Sequence, residues 1–293
     1  MQDCIWLLHP SILSDQLLGA MNYQTYEPHP DLQSLIKCHW ILEVPADANA
    51  QRQRIIPDGC IEIIFMLGDD VKRYTKGDGF IIQPRAMVIG QITEPFFVEP
   101  TGVVNSFATR FYPYGFANFS AAPIIDLANK ETPIQFLFGE NVSKELIEQI
   151  ITANDAPARI KAVENFFLAR LHHKSTIDSI VKSTIDAILS TGGSASINEI
   201  VKNDASKRRQ LERKFMKQIG MSPKHLGRVV RLQAALQRLL NQQSESFTSI
   251  AYESEYYDQA HFIKDFKAFT GITPKDFLQD NTMTLSSLFY SKK

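Results

Sequence analysis

The chain has little that would support covalent, redox or metal chemistry. Its 293 residues include 3 cysteines, Cys4, Cys38 and Cys60, and none stands in a C-x-x-C pair. Thiols scattered this way are expected to be buried or incidental in a reducing compartment, with neither a disulfide framework nor a clustered zinc site. The 7 histidines contain no H-x-H pair. His9, His29 and His39 precede the main apolar strands, and His172-His173 are neighbours that point about 100° apart on a helix, so they do not easily share an ion. A G-x-S-x-G elbow, a Cys-His dyad at recognisable spacing and a phosphate-cradling glycine loop are missing as well. The expectation is no catalytic residue, no metal and no cofactor.

Long apolar runs are also lacking. The stretch Ile5 to Leu8 follows Asp3 instead of a basic residue, which is not a secretory pattern, and no segment approaches the ~20 apolar residues of a membrane helix. A cytoplasmic protein without a membrane partner is expected. Large charge of one sign is absent too, but the net −1 conceals a division. Residues 196–293 carry 16 Lys+Arg against 10 Asp+Glu (16 − 10 = +6), whereas residues 1–195 carry 15 against 22 (15 − 22 = −7). A basic C-terminal part attached to an acidic remainder is the footprint of a nucleic-acid-binding unit joined to something else.

What the C-terminal part does contain is a repeat. Phe215 to Lys224 and Phe266 to Lys275 both read F-x4-G-x-[ST]-P-K, displaced by 51 positions (266 − 215). Leu211 and Phe262 precede the two phenylalanines by one helical turn, and Ile200-Val201 and Ile250-Ala251 lie upstream of each. Leu211, Phe215, Met216 and Ile219 form one apolar stripe, with Arg208, Arg209, Glu212, Arg213 and Lys217 outward. Phe262, Ile263, Phe266 and Phe269 form the other, with Gln259, His261, Lys264 and Lys267 outside. Gly220 and Gly271 suit the left-handed position that closes a helix. Ser222-Pro223 and Thr273-Pro274 supply a hydroxyl N-cap followed by proline at the first helical position. Ser196 with Glu199 makes a capping-box start for a short preceding helix.

A short helix, a tight turn and a longer basic helix is the helix-turn-helix plan. Here it is written twice. The joining helix, from about Pro223 to Asn241, spans on the order of 27 Å at ~1.5 Å per residue. That is close to the ~34 Å between successive major-groove segments on one face of B-DNA.

These residues resemble the double helix-turn-helix domain of the AraC/XylS family of bacterial transcription regulators, over residues 196 to 280. The densest match is Tyr256 to Lys267 followed by Thr270-Gly271-Ile272-Thr273-Pro274. The first unit matches through Arg209 to Phe215 and Gly220 to Lys224. The family usually places glycine between the two helices of each unit, where Ala205 and Glu255 stand, and Ser206 falls one residue early as an N-cap. The resemblance implies base contacts from Arg209, Glu212 and Arg213 in the first unit and from Gln259, Ala260, His261 and Lys264 in the second. Lys207, Arg208, Lys217, Lys224 and Lys267 are expected to meet phosphates, which position the protein without specifying sequence.

Upstream, short β-rich runs bounded by Gly, Pro or Asp fill Trp40 to Phe111, a spacing that predicts an antiparallel sandwich or small barrel able to hold a ligand. His39-Trp40, Pro57 to Phe65, Gly90-Gln91 and Arg110 to Gly115 resemble the cupin-like sensor domain of one branch of AraC-type regulators. Two readings of its polar residues stand side by side. In one, Pro57-Asp58-Gly59 is a turn and Glu62 and Arg110 pair within the sheet; in the other, Glu62, Gln91 and Arg110 converge in a cavity with Trp40 and Phe107. Between Ala121 and Gly193, helical periodicity covers Val142 to Ala153, Ala156 to Leu171 and Ile177 to Leu189, and Gly192-Gly193-Ser194 is expected to break the chain flexibly.

The expected class is therefore α+β. A cupin-like antiparallel β-barrel or sandwich covers 1–120, a helical segment able to dimerise covers 121–193, an all-α double helix-turn-helix covers 194–281, and a tail covers 282–293. The expected partners are double-stranded DNA, a small-molecule effector, RNA polymerase and a second copy of the chain. The alternative is a cupin-type enzyme with an accessory nucleic-acid-binding tail.

Overall fold

The computed structural model describes residues 21–47, 51–75, 77, 79–171, 177–241, 246–280 and 282. The expectations concerning Cys4, Ile5 to Leu8, His9, His172, His173 and the tail beyond Thr282 fall outside the described residues.

The strands are β1 (Asn22–Tyr26), β2 (Ile36–Val44), β3 (Gln53–Ile55), β4 (Ile61–Met66), β5 (Val71–Tyr74), β6 (Phe80–Ile82), β7 (Ala86–Ile89), β8 (Phe96–Pro100), β9 (Val104–Phe111) and β10 (Glu131–Pro133). They form a six-stranded sheet in the order β1-β2-β9-β4-β7-β10 and a four-stranded sheet in the order β3-β8-β5-β6. Every pairing is antiparallel.

The six-stranded sheet is apolar on both faces, which is why its strands read as near-continuous hydrophobic runs. Trp40, Leu42, Ile64, Met66, Met87 and Ala108 point toward the smaller sheet and meet Val71, Phe96 and Val98 there. Ile41, Ile61, Ile63, Phe65, Phe107 and Phe111 point the other way and are covered by helices. Those helices are α1 (Gln135–Phe138), α2 (Glu140–Thr152) and α3 (Ala156–Leu168), whose Leu146, Ile150, Val163, Phe166 and Phe167 complete that core. His39 pins α3 to the sheet: it is fully buried, with Nδ1 2.8 Å from Thr109 Oγ1 and Nε2 3.2 Å from Glu164 Oε1.

Downstream come α4 (Ser179–Ser190), α5 (Ile197–Ile200), α6 (Ala205–Ile219), α7 (Pro223–Asn241), α8 (Phe247–Glu253), α9 (Gln259–Thr270) and α10 (Pro274–Phe277). Two cores share α7. Leu226 joins Leu211, Phe215 and Ile219 of the first unit, whereas Val229, Leu232, Leu236 and Leu239 join Phe262, Phe266 and Phe269 of the second.

Two sequence expectations are corrected here. Helix α4 does not belong with the helical segment over 121–193, because Val181, Ile185 and Ile188 pack into the core of the first helix pair. Its apolar stripe has the same period as those of α2 and α3, and periodicity says nothing about which core a stripe joins. Gly192-Gly193-Ser194 is not a loose break either. Gly193 has φ 91°, its carbonyl accepts from Arg231 at 2.5 Å, and a Cβ there would stand 2.3 Å from the Gly227 carbonyl oxygen. Glycine at 193 serves close packing against α7.

Candidate nucleic-acid interface and adjoining cavity

Each helix pair is set by its caps. Asp204 caps α6, its Oδ1 accepting from the Ser206 and Lys207 amides at 2.9 and 3.0 Å. Asp258 caps α9, accepting from the His261 amide at 2.7 Å. The Lys207 amide holds the Asp204 carboxyl below the usual carboxylate range, as expected of an acid facing unpaired amides at a helix start. Both helices end on left-handed glycines, Gly220 at φ 86° and Gly271 at φ 81°.

The turns differ from the sequence expectation. Ala205 is the first residue of α6, and Ser206 is not its N-cap. The left-handed positions of the first turn fall instead on Lys202 and Asn203, at φ 55° and 57°. In the second turn Glu255 does occupy the left-handed position, at φ 60°. Asp204 wins as cap because its carboxylate lies one residue before helical φ/ψ begins and reaches two free amides.

On α6, Lys207, Arg208, Arg209, Arg213 and Lys217 are exposed and Glu212 is half-buried, while Leu211, Phe215 and Ile219 face inward. Arg208 bonds Glu212 Oε1 at 3.1 Å and Asn198 Oδ1 at 3.0 Å. One expected phosphate contact and one expected base contact are thus paired with each other. On α9, Ala260, Lys264 and Lys267 are exposed, whereas Gln259 and His261 are half-buried. Gln259 Oε1 accepts from Thr248 Oγ1 at 2.7 Å, and His261 stacks edge-on to Tyr256. Lys224 is exposed near the start of α7.

Sequence reasoning passed over two residues here. Asp265 is buried and receives Arg228 of α7 in a bidentate pair at 2.9 and 3.1 Å, which fixes α9 to the shared helix. Tyr257, 85% exposed, precedes the cap of α9 as a large ring open to a partner. No spacing rule marks either.

Between the two sheets lies a cavity of about 140 Å³. Its wall is mostly aliphatic and aromatic, including Trp40, Ile64, Met87, Phe96 and Val98, with a polar corner made of Asp58, Glu62 and Arg110. Arg110 pairs with Asp58 and with Glu62, the latter at 3.3 Å, and Trp40 Nε1 donates to Glu62 Oε1 at 3.0 Å. Burial pushes the Glu62 carboxyl up to about 7, opposed by the Trp40 hydrogen bond and by Lys37. Both readings of these residues therefore coexist. Asp58 starts a turn, with Oδ1 accepting from the Cys60 amide at 2.9 Å and Gly59 at φ 78°, and the same residues line the cavity. Cys60 lines it too, and burial drives its thiol up to about 11.

Trp40, Glu62 and Arg110 are thus brought together; Phe107 and Gln91 are not. Phe107 lies on the opposite face of β9, in the core beneath the helices. It differs from Arg110 by an odd number of residues on one strand, so the pleat sends the two side chains apart. Strand parity was the available signal. Gln91 is fully buried at the junction between the two halves of the chain. Its amide donates to the Gly59 carbonyl at 3.0 Å, and its Cγ would lie 3.4 Å from a Cβ on Gly220.

That junction is built on the segment preceding β4. Arg54 of β3 donates to the Thr270 carbonyl at 2.6 Å and pairs with Asp280 at 3.0 Å. Ile56 joins the core of the second helix pair. Gln233 of α7, a buried polar residue, donates to the Pro57 carbonyl at 2.6 Å. Ile55, Ile56, Asp58 and Cys60 are also cavity-lining residues. One wall of the cavity is therefore the surface on which the C-terminal helices rest.

Residues 205–280 match a family model described as a helix-turn-helix domain, and residues 24–133 match a domain of unknown function, DUF6597. No curated protein matches the chain. Among solved structures, ToxT from Vibrio cholerae is 11% identical, covering 89% of this chain and 98% of that one at a TM-score of 0.44. ToxT from Vibrio cholerae strain SCE256 bound to an unsaturated fatty acid is 12% identical, covering 88% and 95% at 0.42. The cupin domain of Cnp3 from Schizosaccharomyces pombe is 15% identical, covering 31% and 61% at 0.20.

Proposed function

We propose, from residues 205–280 being a helix-turn-helix domain of the AraC type, that the chain is a cytoplasmic, sequence-specific transcription regulator whose DNA affinity answers to a small molecule in the β-domain. The supporting observation is the pair of capped helices α6 and α9, each held by its own core against the shared helix α7 with a polar face left open. In this reading α6 and α9 enter successive major grooves. Arg209, Glu212, Arg213, Gln259, Ala260, His261 and Lys264 read base edges, and Lys207, Arg208, Lys217, Lys224 and Lys267 meet phosphates. Glu212 must first leave Arg208, so binding exchanges an exposed ion pair for contacts to DNA.

The ligand site in this reading is the cavity at Trp40, Glu62 and Arg110. Its coupling to DNA runs through the Arg54–Gly59 segment, which touches cavity and helices alike. A ligand changes the DNA-binding equilibrium only by the difference in its affinity for two arrangements of that segment. We read the chain as a regulator and not as an enzyme, because its cavity adjoins the DNA-binding helices through this buried segment. The helices α1 to α3 carry exposed Phe136 and Ile151 and are the face we assign to a second copy. RNA polymerase is the partner such a regulator would touch once bound to DNA.

Selection of bound sequences from random duplex DNA tests the reading. Enrichment of one motif, with affinity falling steeply as salt rises, is expected. Failure to enrich any motif would overturn it.

A further inference from the structure

Helices α6 and α9 end alike, and the β-domain touches both ends. Gly220 closes α6 and Gly271 closes α9, each in the left-handed conformation and at equivalent places in the repeat. A Cβ on Gly220 would stand 3.1 Å from Ile124 Cγ2, 3.2 Å from the Ile124 carbonyl oxygen and 3.4 Å from Gln91 Cγ. Ile124 itself belongs to the core between the six-stranded sheet and its helices. A Cβ on Gly271 would stand 3.0 Å from Arg54 Nη1, the nitrogen that donates to the Thr270 carbonyl at 2.6 Å. The last carbonyls of a helix have no partner within it, and the helix dipole puts negative charge there. Arg54 supplies a donor and a positive charge at once. Its guanidinium lies 4.7 Å from the centroid of the Phe97 ring and pairs with Asp280, so both halves of the chain hold it in place.

The shared helix α7 constrains the two units unequally. The second unit packs along Val229, Leu232, Leu236 and Leu239, whereas the first meets only Leu226 and the edge of Val230, near the helix start. Gly227 stands in that stretch, and glycine is the least favourable residue for a helix interior after proline. Helix α6 has 15 residues and is thus roughly 22 Å long, so a tilt of about 10° would move its far end by roughly 4 Å. That exceeds the ~3.4 Å rise of one base pair. A second anchor on each unit, outside α7, removes this freedom. Both anchors lie at the C-terminal ends of α6 and α9, which leaves the N-terminal ends open to the grooves.

We propose that the β-domain is a spacing gauge for the two reading helices, with Arg54 and Ile124 as positioning residues that make the chain recognise two DNA elements at one fixed separation. This rests on the reading of α6 and α9 as base-reading helices. One base pair added between the elements shifts the second by ~3.4 Å and turns it by about a tenth of a turn. A gauged pair cannot follow that change, and a pair joined through α7 alone can.

The test uses the full chain and duplexes built from its selected motif, with the two elements at the selected spacing or one base pair nearer or farther, and a duplex carrying one element. The unmodified chain should lose at least about tenfold in affinity when the spacing changes by one base pair, the scale of a mismatched position. Arg54→Ala should reduce that penalty to less than about threefold, bind the single element as the unmodified chain does, and lose affinity mainly at the selected spacing. Arg54→Lys, which keeps a charged donor at the helix end, should restore most of the penalty. Asp280→Ala leaves the β-domain intact and should lower the penalty to an intermediate value, which keeps the test open if Arg54→Ala folds poorly. An unmodified chain indifferent to spacing overturns the proposal. So does a full penalty retained in both alanine variants, or an equal loss on every duplex, the single element included. Failure to select any motif removes the regulator reading itself, whereas a selected motif without spacing dependence removes only the gauge.

Discussion

Gln233 on α7 donates a 2.6 Å hydrogen bond to the carbonyl of Pro57, so the helix shared by both DNA-binding units is tied to the turn that walls the cavity. Both groups are buried at this point, and losing one partner strands the other, at a cost of about 1–3 kcal/mol. The contact is small beside the two cores, but it lies where a ligand and a duplex would communicate.

The same junction predicts a change in cooperativity. Arg54→Ala removes the contacts to Thr270 and Asp280 and should cost on the order of 2–3 kcal/mol. By calorimetry, the unfolding of the β-domain and the helical domain should separate into two transitions in the variant. An unaltered single transition would show that Arg54 does not hold the halves together.

The pH dependence of stability should carry the signature of Glu62. Its carboxyl is raised from 4.5 to about 7 by burial, so the fold favours the protonated form. The penalty is absent below the unfolded value, grows as pH rises toward 7 and is then constant. At ~1.4 kcal/mol per tenfold change in proton affinity it amounts to on the order of 3–4 kcal/mol. Relative to the unmodified chain, Glu62→Gln should gain stability between pH 5 and 8 in urea unfolding, measured without ligand. A pH-independent difference would contradict this.

Base reading is tested by single truncations. Arg209→Ala and Gln259→Ala should each relax preference at one base position and cost about 1–3 kcal/mol. Lys207→Ala should instead weaken all sequences alike and reduce the salt slope by about one. Uniform loss in the first two variants would assign them to the backbone.

The caps offer a separate check. Asp204→Ala and Asp258→Ala should each cost about 1 kcal/mol, whereas Ser206→Ala should be nearly neutral. A larger loss at Ser206 than at Asp204 would place the start of α6 elsewhere.

Phe107→Ala should destabilise by about 3–5 kcal/mol as a large side chain leaves a filled core. It should not change binding of any cavity ligand beyond that loss of stability. A specific loss of ligand affinity in chains shown to be folded would argue that Phe107 reaches the cavity.

Much of the C-terminal half was legible because its signals are local. The apolar stripe Leu211, Phe215, Ile219, the terminating Gly220 and the Ser-Pro start of α7 are consequences of helical geometry and of which residues tolerate a helix end. The second unit was legible for the same reasons, and repetition removed the ambiguity of a single match. The turn of the first unit was not. The family pattern puts its inter-helix glycine at position 205, where Ala205 stands, but the left-handed residues of this turn are Lys202 and Asn203, because several polar residues compete there and only their amide partners choose among them. In the β-domain, the strands followed from short β-rich runs bounded by turn residues, whereas Glu62 and Arg110 stood between two readings, an ion pair within the sheet or a cavity shared with Trp40, Gln91 and Phe107, and Phe107 was grouped with that cavity because its parity relative to Arg110 was not used.

The amino-acid sequence by itself determined the elements, the duplication and the concentration of basic charge, since each depends on contacts within a few residues or on composition. The tertiary structure alone decided that α4 completes the first helix pair, that Gly193 packs on Gly227, and that Gln91 sits at the junction and not in the cavity. It also decided that the segment from Arg54 to Gly59 belongs to both halves. These pairings join residues far apart in the chain. Their register is set by the packing of whole faces, for which neither spacing nor residue type carries a local signal.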